Sequence, residues 1–195
     1  MARGDTRERI QQVARELFLT RGVQATSLQD IATRLGITKP ALYYHFASRE
    51  ELVRSIITPM LDDLEGFVGA LEAAPGHNPR TLLEGFFDVH LKHRDILLLA
   101  VREMTTLEDL GLLDIAIGWR TRLGELLLGP DAPLARQCQA VVALGGLADC
   151  AWAFEHVPVE TLRVAAVDAA CGALGLAPAP APARPGVAAG APSSD

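Results

Sequence analysis

The chain has 195 residues, 49% hydrophobic and 22% charged, enough for one compact domain plus a smaller unit around a sizeable core. Its formal net charge of −6 is uneven: residues 1–54 hold nine Arg/Lys against six Asp/Glu, a net of +3 that leaves −9 for the remainder. No apolar run reaches the ~18 residues of a membrane span, so no membrane partner is expected; the longest, 140-AVVALGGLA-148, stops at Asp149.

The opening MARGDTRER has no apolar stretch and does not read as a secretory leader, which suggests a cytoplasmic protein. From there the periodicity is helical and nothing reads convincingly as a strand. Ile10, Val13, Ala14, Leu17 and Phe18 mark a first helix over about 6–21, ended at Arg21-Gly22. Thr26 and Ser27 cap a second, 28-LQDIATRL-35, with Gln29 or Asp30 placed for a reciprocal cap. Gly36 ends it and Thr38 caps a third, in which Pro40 is acceptable because first-turn amides lack intrahelical partners. Ser48 with Glu51 forms a capping box for a fourth helix toward Ala73, and Pro59 inside that helix should bend it. Helical patterns resume over about 80–92, 94–105, 109–128, 133–155 and 159–175. The Ala/Pro/Gly-rich end, 177–195, lacks periodicity and is expected to be disordered.

The third helix carries an unusual run, 38-TKPALYYHFASREEL-52. At about 100° per residue, Leu42 and Phe46 share a narrow apolar strip, and Lys39, Ala41, Tyr44 and His45 are pushed to the other side. Before it, Ala32, Gly36, Ile37 and Leu42 have the spacing of two helices crossing steeply over a short turn. That is a helix-turn-helix, whose second helix is the one expected in the DNA major groove. Tyrosine, histidine and lysine can bond phosphate oxygens, Lys39 can reach a guanine edge, and Ala41 can meet a thymine methyl. Thr26, Ser27 and Thr38 sit at helix N-termini, where amides favour a phosphate. Alternatively, Tyr43 and Tyr44 pack within the head and His45 serves as a local cap.

Residues of about 6–52 resemble the DNA-binding head of the tetracycline-repressor (TetR) family of bacterial regulators. The resemblance rests on Ala14, Leu17, Phe18, Gly22, Thr26, Ser27, Ile31-Ala32, Gly36, Lys39, Leu42-Tyr43-Tyr44-His45-Phe46 and Ser48-Arg49-Glu50-Glu51-Leu52. It implies an all-α protein: a helix-turn-helix head with an antiparallel helical-bundle body that dimerises and binds a small effector. It implies phosphate contacts at Thr26, Thr38, Tyr44, His45 and Arg49, and base reading at Lys39 and Ala41. Pro40-Ala41 stands where the family more often has a glycine and a polar residue. The expected division is 1–52 for DNA binding, 53–176 for effector binding and dimerisation, and 177–195 for the tail.

In the body, Leu134, Cys138, Val141, Gly145, Ala148 and Trp152 are spaced 4, 3, 4, 3, 4, and Leu162, Ala166, Ala169, Ala173 and Leu176 repeat that pattern. Two small-residue seams let helices approach closely, so a second copy can complete a four-helix bundle; the alternative is that the seams face the protomer's own core. Phe67, Phe86, Phe87, His90, Met104, Trp119 and Trp152 are candidates to line an effector pocket, with Arg120 or Arg122 for an acid group. Few acidic side chains fall on those apolar faces, so the expected effector is small, apolar, and neutral or anionic. His90 and His93 with Asp88 lack a further nearby histidine or cysteine, and Cys138, Cys150 and Cys171 have no CxxC spacing, so no metal or other cofactor is expected.

The leading reading is a dimeric, ligand-responsive repressor on a pseudo-palindromic double-stranded operator. The alternatives are a helical enzyme, for which no P-loop, GxGxxG, GxSxG or HExxH is present, and a helical adaptor with a protein partner.

Overall fold

The structure is a computed structural model that describes residues 3–74 and 76–177. The tail expected at 177–195 lies, but for Ala177, outside the described residues. Ten helices and no strands are found among them: α1 Arg3–Arg21, α2 Leu28–Leu35, α3 Lys39–Tyr43, α4 Arg49–Ala73, α5 Pro79–Lys92, α6 Arg94–Arg102, α7 Met104–Asp109, α8 Leu112–Leu128, α9 Leu134–Ala153 and α10 Val159–Ala173.

Local chemistry fixes the head. Ser27 Oγ accepts from Asp30 N at 3.1 Å, and the Asp30 carboxylate accepts from Ser27 N at 2.9 Å, closing the capping box with Asp30 rather than Gln29. Gly36 takes φ 69°, a left-handed conformation that ends α2 without a Cβ penalty. Thr38 Oγ1 accepts from Ala41 N at 3.3 Å to start α3. Ser48 Oγ accepts from Glu51 N, while the Glu51 carboxylate reaches back one residue further than expected, to Ala47 N at 2.8 Å. Leu42 and Phe46 are fully buried with Ile10, Ala14, Phe18, Ile31 and Ala32. The core runs without interruption from the head into the body, and α4 crosses the division expected at residue 52.

Pro59 lies inside α4, which continues unbroken around it. Lacking an N–H, it leaves the Ser55 carbonyl without its intrahelical donor. That carbonyl accepts from Gln11 Nε2 of α1 at 3.2 Å, and Ser55 Oγ accepts from the same nitrogen at 3.0 Å.

Two stretches differ from expectation. The helix foreseen over 94–105 stops at Arg102, a separate α7 follows over Met104–Asp109, and the helix foreseen over 109–128 starts only at Leu112. Glu103 leaves the helical conformation, and its carboxylate accepts from Val23 N of the head at 2.9 Å and from the Thr106 hydroxyl at 3.3 Å. Gly111, at φ 66°, makes the second break. The seam drawn on α10 is also rotated. Leu162 and Ala166, only 5% and 4% exposed, pack inside the protomer, whereas Ala169 faces out. Because α10 is apolar almost all round, spacing alone selects no stripe; packing against α9 and α5 does.

Candidate nucleic-acid interface and body cavity

The buried strip of α3 turns its other side outward. Tyr44 is 65% exposed and Tyr43 44% exposed; Lys39, Pro40, Ala41, Thr38 and Ser27 are exposed as well. Lys39 Nζ lies 5.6 Å from the Tyr43 ring centroid and has no ion-pair partner among the described residues. The Tyr44 and His45 rings meet edge-on at 5.4 Å, with His45 half-buried. The Arg7 guanidinium sits 4.2 Å over the Phe46 ring and donates to the His45 carbonyl at 2.7 Å, pinning the C-terminal end of α3 to α1. A shallow groove beside this face is lined by Ser27, Gln29, Lys39 and Tyr43. Gln29 was not singled out from sequence as a contact residue; its exposed place in the first turn of α2 is the signal that could have found it.

Two expected contact residues are engaged internally. Thr26 is 1% exposed and its hydroxyl donates to Gly22 O at 2.8 Å, so the outward cap of α2 is Ser27 alone. Arg49 donates to the carbonyls of Val23 and Gln24 and to Gln24 Oε1 at 2.8 Å, bracing the loop between α1 and α2. Sequence spacing could not show that this loop folds back over the start of α4.

The body holds a partly open cavity of about 390 Å³. Ile57, Met60, Leu61 and Leu64 of α4 form one wall; Phe86 and His90 of α5 another; and Leu97, Ala100, Val101, Met104 and Leu107 of α6–α7 a third. Residues of α8 and α9, including Trp119, Arg120, Ala148, Asp149 and Trp152, close it. Five of the seven aromatic, His and Met candidates therefore converge. Phe87 is fully buried elsewhere in the core, and Phe67 packs against Gly85, where a Cβ would come within 2.5 Å of its ring. Arg122 is held by Glu65 and Glu72 on α4, which raises its pKa and leaves Arg120 as the guanidinium at the cavity. The Trp119 indole N–H donates to Glu65 Oε2 at 2.8 Å.

His90 is 6% exposed, and burial pushes its pKa down to about 4. His93 Nε2 meets Asp63 Oδ2 at 2.6 Å, and Asp88 pairs with Arg163 at 2.7 Å. These three side chains thus turn to three separate partners.

Head and body are joined by polar contacts as well as by α4. Arg15 pairs with Asp95 at 2.8 Å, Arg102 donates to Leu19 O at 2.7 Å, and Glu103 accepts from Val23 N. The α6–α7 segment therefore has the cavity on one side and the head on the other.

An all-helical protein with a helix-turn-helix head on a helical body is the class these features define. Residues 10–56 match the family model described as bacterial regulatory proteins, tetR family. The chain is 42% identical over 72 residues to the HTH-type transcriptional repressor KstR2 of Rhodococcus jostii (strain RHA1), covering 37% of this chain and 35% of that protein. It is 34% identical over 91 residues to the HTH-type transcriptional activator FasR of Mycolicibacterium smegmatis, covering 45% and 42%. The chain thus spans well under half the length of these curated relatives. Across most of the chain the fold is shared with a transcriptional regulator from Aquifex aeolicus VF5, with a TM-score of 0.68, 24% identity and coverage of 84% and 96%. It is shared too with the ketosteroid transcriptional regulator KstR2 of Mycobacterium tuberculosis, with a TM-score of 0.65, 22% identity and coverage of 87% and 93%.

Proposed function

We propose that this chain is a DNA-binding transcriptional regulator, a ligand-responsive repressor that docks as a homodimer on a pseudo-palindromic operator in the cytoplasm. The observation that carries this is the exposed α3 face of Lys39, Ala41, Tyr43 and Tyr44, held out by the buried Leu42 and Phe46 in a tetR-family head. In this reading Lys39 and Ala41 meet base edges. Ser27, Thr38, Tyr44 and His45 meet phosphates, joined by Gln29. The head, about 1–52, binds DNA; residues 53–176 bind effector and partner. The chain acts by binding and not by turnover, and no helix among the described residues is long and apolar enough to cross a membrane.

Dimerisation is assigned to the outer face of α9 and α10. Leu134 and Val141 are 74% and 67% exposed, and Val142, Val159 and Val164 are exposed beside them. Cys138, Ala169 and Gly172 keep this face low. Exposed apolar side chains gathered on two neighbouring helices are the kind of surface a partner covers. With a second copy seated there, two α3 helices would lie about one DNA turn apart, ~34–36 Å. An effector in the cavity would press on α4 and on α6–α7, both tied to the head, and so change that spacing. It acts only through its different affinity for the two arrangements.

A mobility-shift titration of the DNA upstream of the chain's own gene, against scrambled DNA, tests the reading. Selective retardation is expected; equal or absent retardation of both would count against it.

A further inference from the structure

His90 is the polar group set deepest in the cavity wall, and its two ring nitrogens are not equivalent. Nδ1 lies 2.8 Å from the Phe86 carbonyl oxygen. A carbonyl only accepts, so Nδ1 carries the hydrogen in that contact. The ring is further fixed by a tilted contact with the Phe86 ring, with centroids 4.1 Å apart. Buried among apolar side chains, the imidazole is neutral at physiological pH and has one ring hydrogen. Nε2 is therefore a bare acceptor, and it has no partner among the described residues. The other candidate donors nearby are engaged or peripheral. The Trp119 N–H is taken by Glu65, the Trp152 N–H is directed at Asp149 at 3.4 Å, and Arg120 is exposed.

We propose that the cavity takes an uncharged, largely apolar ligand bearing a hydroxyl, and that His90 Nε2 selects it by accepting that hydroxyl's hydrogen. The proposal rests on the reading of the cavity as an effector site and narrows it. A ligand carboxylate placed at this depth would face an acceptor with acceptors, and a bare hydrocarbon would leave Nε2 unpaired and dry. A hydroxyl satisfies it while the rest of the molecule meets Phe86, Met60, Leu64 and Trp119.

The test is calorimetric binding of 4-octylphenol and its methyl ether, 4-octylanisole, to the full chain and to His90→Phe. The two probes share shape and apolar area and differ in one donated hydrogen. Wild type is expected to bind the phenol roughly 10- to 100-fold more tightly than the ether. His90→Phe, with its fold checked by circular dichroism, should bind both alike. If wild type binds the two equally, hydroxyl selection fails while the cavity stands. If the preference survives in His90→Phe, the selecting group is not His90. If neither probe binds the folded wild type, the effector-site reading falls and takes this proposal with it. The wild-type comparison decides the matter even if the variant does not fold.

Discussion

In the head, a five-residue helix and its C-cap residue present Lys39, Ala41 and Tyr44 outward from a buried strip; in the body, helices α4 to α9 surround about 390 Å³ of mostly apolar space. The first works through particular atoms at fixed places, the second through where atoms are missing. A contact with a phosphate or a base edge demands one side chain at one position. A cavity needs only apolar helix faces that fail to fill the space between them, which many sequences provide. The similarities follow this division. The family model matches residues 10–56, within the head and the start of α4, whereas the rest of the chain is shared with solved structures only as a fold.

The comparison breaks most completely at the outer face of α9 and α10. Val141→Glu or Ala169→Glu should yield a monomer in sedimentation at micromolar concentration. It should lower operator affinity by at least about 100-fold, since the two heads then bind independently. A dimeric variant would remove this face from the account.

His90 sharpens it next. Its folded pKa, about 4, lies below the ordinary value of 6.5, because desolvation outweighs the Phe86 hydrogen bond and Arg120 and His93 add positive charge. Between those values the unfolded chain binds more protons, so stability falls as pH drops from 6.5 toward 4. From pH 6.5 to 4.5 the loss should be about 2–3 kcal/mol by denaturant unfolding, and it should be absent from His90→Phe. Asp63, Glu65 and Glu72, whose pKa values are lowered by partners, stabilise the fold above their ordinary range and weaken it only at more acidic pH.

Within the head, Lys39→Ala should reduce specific DNA binding by about 1–3 kcal/mol and relax sequence preference while leaving the melting temperature unchanged. Tyr44→Ala should weaken all DNA sequences alike. Arg49→Ala should do the reverse, lowering stability by about 1 kcal/mol through the lost braces to Val23 and Gln24. Calorimetric melting beside DNA titration separates the three.

The smallest effect concerns the joint between the regions. Gln11→Ala should destabilise by about 0.5–1.5 kcal/mol, because Ser55 O then loses the donor that replaces the missing Pro59 amide. In a Pro59→Ala background, where the helix supplies its own donor, the same change should cost less; a double-mutant cycle measures the difference.

The caps at Ser27, Thr38 and Ser48, the glycine at 36 and the Leu42/Phe46 strip were legible because each acts within four residues. What sequence spacing could not show depends on distant chain segments. Thr26 turns inward to Gly22, and Arg49 is drawn to a loop 25 residues away. Glu103 interrupts a helix because its carboxylate is wanted by Val23, 80 positions earlier. On α10, apolar nearly all round, only the packed partner decides that Leu162 faces in and Ala169 out.

The most direct test of the central claim is the salt dependence of binding to the chain's own upstream DNA, followed by fluorescence anisotropy. A dimer that neutralises about six phosphates should give a slope of log K against log salt near −5, and Lys39→Ala, which removes a base contact, should lower affinity while leaving that slope nearly unchanged. A slope near zero, with affinity unchanged by Lys39→Ala, would contradict the assignment of the exposed α3 face to DNA.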